Sequence, residues 1–160
     1  MKKYQDLLLE DFTSPIFRQC FQLYFQELGI HVKDWDGLFQ EMNADGRGNR
    51  AYLRMENGRP VGFIQFCGME LSGWFFTKQM GFIRELWIAP EYRGQGHGTA
   101  LLALAEEELA RQGAAEAVLT TDTAPDFYVK NGYRHDPGFT AKNGDPVYVK
   151  ALKPSAKEGR

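Results

Sequence analysis

RGQGHGT, Arg93 to Thr99, sets glycine at three alternate positions just ahead of a run of helix-forming residues. Glycine loses more backbone freedom on folding than any other residue, so it is costly inside regular structure. Removing every second side chain bares the main chain and points to something that approaches it closely. The stretch before it, FIRELWI (82–88), has the β-branched and aromatic content of a strand and is stopped by Pro90. The stretch after it, Thr99 to Gln112, puts Leu101, Leu102, Ala105 and Leu109 on one helical face, spaces Glu107 to pair with Arg111, and ends at Gly113. A loop entering a helix N-terminus offers unpaired N–H groups and the positive end of the helix dipole to an anion. Arg93 adds a charge beside it. A di- or polyphosphate suits that pattern.

Three glycine loops compete for this reading. The P-loop needs GxxxxGK[ST], and no Lys-Ser or Lys-Thr pair follows Gly94, so it is excluded. The dinucleotide fingerprint GxGxxG would use Gly94 and Gly96 but requires glycine where Thr99 stands, and survives only in degenerate form. The third pattern, [RQ]xxGx[GA], is satisfied by Arg93, Gly96 and Gly98.

Upstream, residues 4–9 read as a first strand. Ser14 and Pro15 read as N-cap and first position of a helix that ends at Gly29, and a second short helix covers 35–43. Residues 50–56 and 59–67 are strand-like and separated by Asn57-Gly58, a dipeptide that supplies the positive φ angles of a two-residue hairpin. That antiparallel hairpin sits poorly with a dinucleotide-binding half. Downstream come a strand at 117–121, a short helix at 125–131 and a last strand at 146–152. The order predicts a mixed sheet with helices on its faces, an α/β or α+β layered domain.

Bulk properties bound the function. The 160 residues suit one domain. A formal net charge of −2 gives no basic footprint for nucleic acid. No apolar run approaches membrane-spanning length, and the start lacks a signal-peptide core, so a cytoplasmic protein is expected. Cys20 and Cys67 are too few for a disulfide scaffold and read as buried free thiols.

On ELWIAPEYRGQGHG (85–98) and APDFYVKNGY (124–133), the chain resembles the GNAT family, the GCN5-related N-acetyltransferases. The resemblance implies a mixed central sheet with a splayed pair of strands and helices on both faces. It implies a single acetyltransferase domain over 1–153, with 154–160 a disordered tail, and acetyl-CoA as co-substrate. Carried over residue by residue, backbone groups of Leu86, Trp87 and Ile88 hold the pantetheine arm. Arg93 and the amides of Gly94, Gln95, Gly96, His97, Gly98 and Thr99 hold the pyrophosphate. His97 is expected to contribute backbone only, with its side chain at the surface. Glu85 is placed as the base that deprotonates the acceptor, or else as a structural partner of Arg84 or Lys78. Tyr128 matches the tyrosine that protonates the departing thiolate, or else is a core aromatic beside Phe127. Thr121 stands where relatives often carry a cofactor-contacting Asn.

The function implied is direct transfer of an acetyl group from acetyl-CoA to a primary amine on a small molecule. A protein N-terminus or lysine, and a catalytically silent acyl-CoA sensor, are the alternatives. Family habit alone suggests a homodimer. Other features carry less. Asn43 to Gly48 lacks calcium ligands at the right places, because Arg47 and Arg54 stand there. The three histidines have no ligand spacing, and no metal is expected. Glu106-Glu107-Glu108 reads as a solvated helix face. Trp74-Phe75-Phe76 reads as a strand extension packed into the core, ahead of an acceptor pocket or a dimer contact.

Overall fold

Asn57 and Gly58 take φ values of 50° and 82°, the left-handed pair a tight hairpin needs. They join β2 (Arg50–Glu56) to β3 (Arg59–Ser72), which pair antiparallel with a register shift at Arg54/Met55. The computed structural model describes residues 4–44 and 48–153. The remaining elements are β1 (Tyr4–Leu9), α1 (Pro15–Leu28), α2 (Trp35–Ala44), β4 (Thr77–Ile88), α3 (His97–Arg111), β5 (Glu116–Thr120), α4 (Pro125–Lys130), β6 (Arg134–His135) and β7 (Val147–Ala151). The strands form one mixed seven-stranded sheet in the order β1-β2-β3-β4-β5-β7-β6. The β4–β5 pair is parallel; β1–β2, β2–β3, β5–β7 and β6–β7 are antiparallel. The expected fold class is therefore the observed one.

Contacts gather the chain into two compact units. The first runs up to Phe66 and takes in Glu85–Ala105; the second holds Cys67–Arg84 and the chain from Glu106 on. The core of the first unit is aromatic. Phe17 is fully buried and packs its ring 4.9 Å from Phe12, 5.4 Å from Phe21 and 5.5 Å from Phe63. Burying one such side chain is worth about 2–3 kcal/mol, and each well-placed ring pair adds about 1 kcal/mol. α1 begins at Pro15 as expected, but the Ser14 side chain makes no capping bond. Ahead of the helix the Asp11 carboxylate ties the turn together: its Oδ1 accepts from the Thr13 amide and hydroxyl and from Asn43 Nδ2. Those bonds hold the Asp11 carboxyl below the usual range, the Thr13 hydroxyl contributing most. Gly29 closes α1 in the left-handed region, with Ile30 N–H donating to Phe25 and Gly29 N–H to Gln26.

The second unit has a smaller aliphatic core of Met80, Val118, Val147 and Val149, with Met69 and Ala141 against it. Gly81 sits where a Cβ would lie 2.4 Å from Leu109 Cδ1, so α3 passes close over β4 there. β6, only two residues long, was not foreseen.

Two expectations are corrected here. Trp74, Phe75 and Phe76 lie in the turn between β3 and β4 and are 94%, 92% and 67% exposed, so they do not pack into a core. The acidic run of α3 is not a solvated face either. Only Glu107 is open; Glu106 accepts from Tyr133 Oη at 2.8 Å and pairs with Lys150 Nζ at 2.9 Å. Glu108 is buried, pairs with Arg111 and accepts from Gln112 Nε2 at 3.1 Å. Arg111 reaches the expected Glu107 only at 4.0 Å.

Both cysteines are buried, and neither forms a disulfide among the described residues. Among the described residues no helix is long and apolar enough to cross a membrane, and no group of three or more His, Cys, Asp or Glu is placed to hold a metal ion. Of the 43–48 turn, Asp45 to Arg47 lie outside the described residues.

Candidate active site

Pro90 cannot donate to a ladder, and β4 ends just before it. Ala89 N–H still donates to Val61 at 2.8 Å, and a single 3₁₀ turn, Pro90–Tyr92, then carries the chain off the sheet. Gly94 and Gly96 follow at φ 77° and 89°, which side-chain-bearing residues rarely adopt. A Cβ built on either would meet no atom of the chain within 4 Å. These two glycines therefore serve backbone geometry, and the side they leave bare faces outward.

α3 starts at His97, two residues earlier than the sequence suggested. Ala100 N–H donates to the Gly96 carbonyl at 3.1 Å, closing the first helical turn. The amides of His97, Gly98 and Thr99 precede that bond and have no acceptor within the helix. They sit at the positive end of a helix dipole, the arrangement that holds phosphate oxygens. Gln95 steadies the loop by donating to the Glu91 carbonyl at 3.3 Å.

The Arg93 side chain does not extend over this loop. Its Nε donates to the Ile88 carbonyl at 2.8 Å, and its Nη2 meets Glu27 Oε1 at 2.7 Å. Trp87 Nε1 donates to the same oxygen at 2.7 Å. Arg93, and then Trp87, hold the Glu27 carboxyl below the ordinary carboxylate range. The loop is thus tied back to α1 through the Arg93 side chain.

His97 corrects another expectation. Its side chain is 3% exposed, edge-on to Tyr4 at 4.7 Å and to Tyr92 at 5.8 Å, with Nδ1 3.1 Å from Arg54 Nη1. Arg54 in turn is held by Asp6, which keeps the guanidinium firmly charged. Tyr92 donates to Glu56 Oε1 at 2.8 Å, a bond that raises the phenol's pKa. The helix start is therefore pinned by a buried ring rather than by a surface one.

Along β4, Glu85 and Trp87 both reach α1, Glu85 accepting from Tyr24 Oη in a short bond. Alternation turns Leu86 and Ile88 to the other face. Lys78, one of the partners considered for Glu85, pairs instead with Glu116 at 3.1 Å. Tyr24 is packed among Phe21, Phe25, Phe63 and Trp87, so the half-buried Glu85 carboxylate stands at the margin of an aromatic core. β4 pairs with β5 only at Gly81↔Ala117 and Phe82↔Val118, although it runs on to Ile88.

Thr121 and Tyr128 belong to the second unit. Thr121 Oγ1 accepts from Ala124 N–H at 3.1 Å and so fixes the entry to α4. Tyr128 lies on α4, its ring edge-on to Phe127 at 5.0 Å and to Tyr133 at 5.8 Å. Tyr24 and Glu27 had no motif to announce them. The nearest signal was their three-residue spacing on α1, which puts them on neighbouring positions of one face.

A family model described as the acetyltransferase (GNAT) family matches residues 4–133. An uncharacterized N-acetyltransferase, YhfO of Bacillus subtilis, is 26% identical over 130 residues, covering 79% of this chain and 84% of its own. The aminoalkylphosphonate N-acetyltransferase of Salmonella typhimurium is 38% identical over 89 residues, covering 51% of this chain and 54% of its own. The crystal structure of PaiA N-acetyltransferase from Thermoplasma acidophilum in complex with coenzyme A superposes with a TM-score of 0.59 at 16% identity, over 92% of this chain and 99% of that one. With an outward-bared glycine loop at a helix N-terminus and a family match over most of its length, the chain belongs to the GNAT family of acetyltransferases and is an acyltransferase.

Proposed function

We propose that this protein transfers the acetyl group of acetyl-CoA directly to the primary amine of a small molecule. The observation that carries the reading is the loop from Gly94 to Thr99. Its position at a helix N-terminus and its outward-facing bare main chain at Gly94 and Gly96 fit a diphosphate, and a solved structure of similar fold is in complex with coenzyme A. At the end of β4, main-chain groups of Leu86, Trp87 and Ile88 are suited to hold the pantetheine arm as an added strand would. The co-substrate supplies an activated acyl carbon; the chain supplies position and proton traffic. Holding both reactants in register removes much of the entropic barrier.

An amine at neutral pH must lose a proton before it can attack. Glu85 takes it, directly or through a water, and its carboxylate is oriented by the Tyr24 hydroxyl. The amine nitrogen bonds to the acyl carbon, the carbon–sulfur bond breaks, and the Tyr128 hydroxyl gives its proton to the thiolate. Neither buried cysteine is needed as a nucleophile, so no covalent acetyl-enzyme forms. In this reading residues 1–153 act as one acetyltransferase domain in the cytoplasm, and no metal takes part.

Calorimetric titration of acetyl-CoA, followed by thiol release with a panel of amines, tests the proposal. Aminoalkylphosphonates and aminoglycosides belong in the panel because related or similarly folded acetyltransferases act on or bind them. Micromolar binding and turnover with one small amine are expected. Turnover only with peptides bearing a lysine or a free N-terminus would move the acceptor to proteins. Binding without turnover on any acceptor would make the domain a sensor, and no heat at millimolar ligand would end the proposal.

A further inference from the structure

Two of the four residues between Tyr92 and His97 are glycine, so the shape of that loop depends on what holds its ends. Tyr92 closes the 3₁₀ turn ahead of it and donates to Glu56 Oε1 at 2.8 Å. His97 opens α3 behind it, with Nδ1 3.1 Å from Arg54 Nη1. Glu56 and Arg54 stand two positions apart on β2, where alternation puts them on one face. One strand therefore holds both ends of the loop, and all of these residues lie in the first unit.

Arg54 is itself tightly held. Asp6 lies opposite it on β1, and the two side chains join as a fork, Nε to Oδ1 at 2.8 Å and Nη2 to Oδ2 at 3.0 Å. The guanidinium carbon lies 5.2 Å from the centre of the Tyr4 ring. That arrangement leaves Nη1 for the imidazole. A guanidinium nitrogen only donates, so His97 Nδ1 accepts and the ring proton sits on Nε2. Tyr4 and Tyr92 meet the ring edge-on and hold its plane. The Arg54 and Asp6 side chains are only 14% and 25% exposed. Two charges so far out of water add little net stability, since desolvation offsets most of their attraction. What the pair supplies is direction.

Taking the loop as the acetyl-CoA site, we propose that Arg54 is a positioning residue for that co-substrate. It fixes the His97 ring, and the ring fixes the first turn of α3, whose amides meet the diphosphate. Asp6 serves at one remove, by aiming the guanidinium. Arg54 acts through His97 and not on the ligand itself.

A double-mutant cycle on the full chain, read by calorimetric titration of acetyl-CoA, tests it. Arg54→Met is expected to raise the dissociation constant roughly tenfold, as for two coupled side chains of one network, with the fraction of competent sites unchanged. His97→Leu removes the ring that Arg54 holds, and in that background Arg54→Met should change the constant by no more than about twofold. Asp6→Asn keeps the shape of the fork without its charge and should fall between the parent and Arg54→Met. Should Arg54→Met fail to fold, the ring itself reports. Long-range proton–nitrogen NMR of the unsubstituted protein at neutral pH should show His97 locked with its proton on Nε2, and Asp6→Asn should release it into a mixture. Equal affinity in the parent and Arg54→Met, an equal loss with and without the His97 ring, or an imidazole protonated on Nδ1 would each overturn the proposal. No heat from the parent at millimolar acetyl-CoA would instead end the reading of the loop, and this proposal with it.

Discussion

Gly62 and Gly96 are the same residue used for opposite reasons. On Gly62 a Cβ would lie 2.4 Å from the Trp87 carbonyl oxygen, so the neighbouring strand excludes any side chain. On Gly96 a Cβ would touch nothing within 4 Å, and the residue is fixed instead by a φ of 89°. One glycine makes room inside the sheet; the other keeps a bare backbone pointing away from it. The difference separates stability from binding. Crowding at Gly62 must break packing, whereas a side chain at Gly96 costs the fold a little strain and stands in the path of whatever docks on the loop.

Substitutions test that contrast. Gly62→Ala pits a Cβ against main chain that cannot yield, and about 3 kcal/mol of stability should go, read as a drop in urea midpoint with unchanged slope. Glu85→Gln should leave that midpoint nearly in place and lower kcat by roughly 10²–10⁴, the range for losing a positioned base. A stability loss as large as that of Gly62→Ala would assign Glu85 to the fold instead. Gly96→Val should cost about 1–2 kcal/mol of stability through backbone strain, yet weaken acetyl-CoA binding more than tenfold by calorimetry. Equal losses in the two measurements would erase the distinction.

The smallest effect belongs to the Arg93–Glu27 pair, whose side chains are 46% and 41% exposed. Such pairs are worth about 0.2–1 kcal/mol. Because the Glu27 pKa is depressed in the folded state, its contribution is present above the ordinary carboxylate value of 4.5 and fades as pH falls below it. Glu27→Gln should therefore be slightly less stable than the parent at pH 7 and indistinguishable from it at the acid end of the curve. A gap that persists there would point to lost packing instead of charge.

Most of the fold was legible because its punctuation is local. Asn57-Gly58, Pro15, Gly29, Pro90, Gly94 and Gly96 each dictate backbone geometry within a few residues, and the structure uses them where the sequence placed them. Partners brought from afar were not legible. Tyr24 meets Glu85 across 61 positions, and no periodicity announces which aromatic of a helix will meet which carboxylate. The three glutamates of α3 look alike in sequence, but Tyr133 and Lys150 arrive from later elements to bury one, and Arg111 and Gln112 enclose another. Trp74 to Phe76 announce apolarity without saying whether anything covers it. His97 deceived in the other direction, because a histidine in a glycine loop reads as open, and Tyr4 from a distant strand together with Tyr92 from the preceding turn enclose it.

α1 grips β4 and the loop after it twice within one turn. Tyr24 holds the Glu85 carboxylate, and Glu27, three residues on, anchors both Trp87 and the arginine at the root of the glycine loop. Three residues turn a helix through about 300°, so both grips lie on adjoining sides of one cylinder. Lengthening the helix by one residue between them would swing the second grip away by about 100°. The chain could then keep the Glu85 carboxylate aligned or its glycine loop anchored, but not both, so the spacing of those two side chains acts as the gauge that sets one against the other.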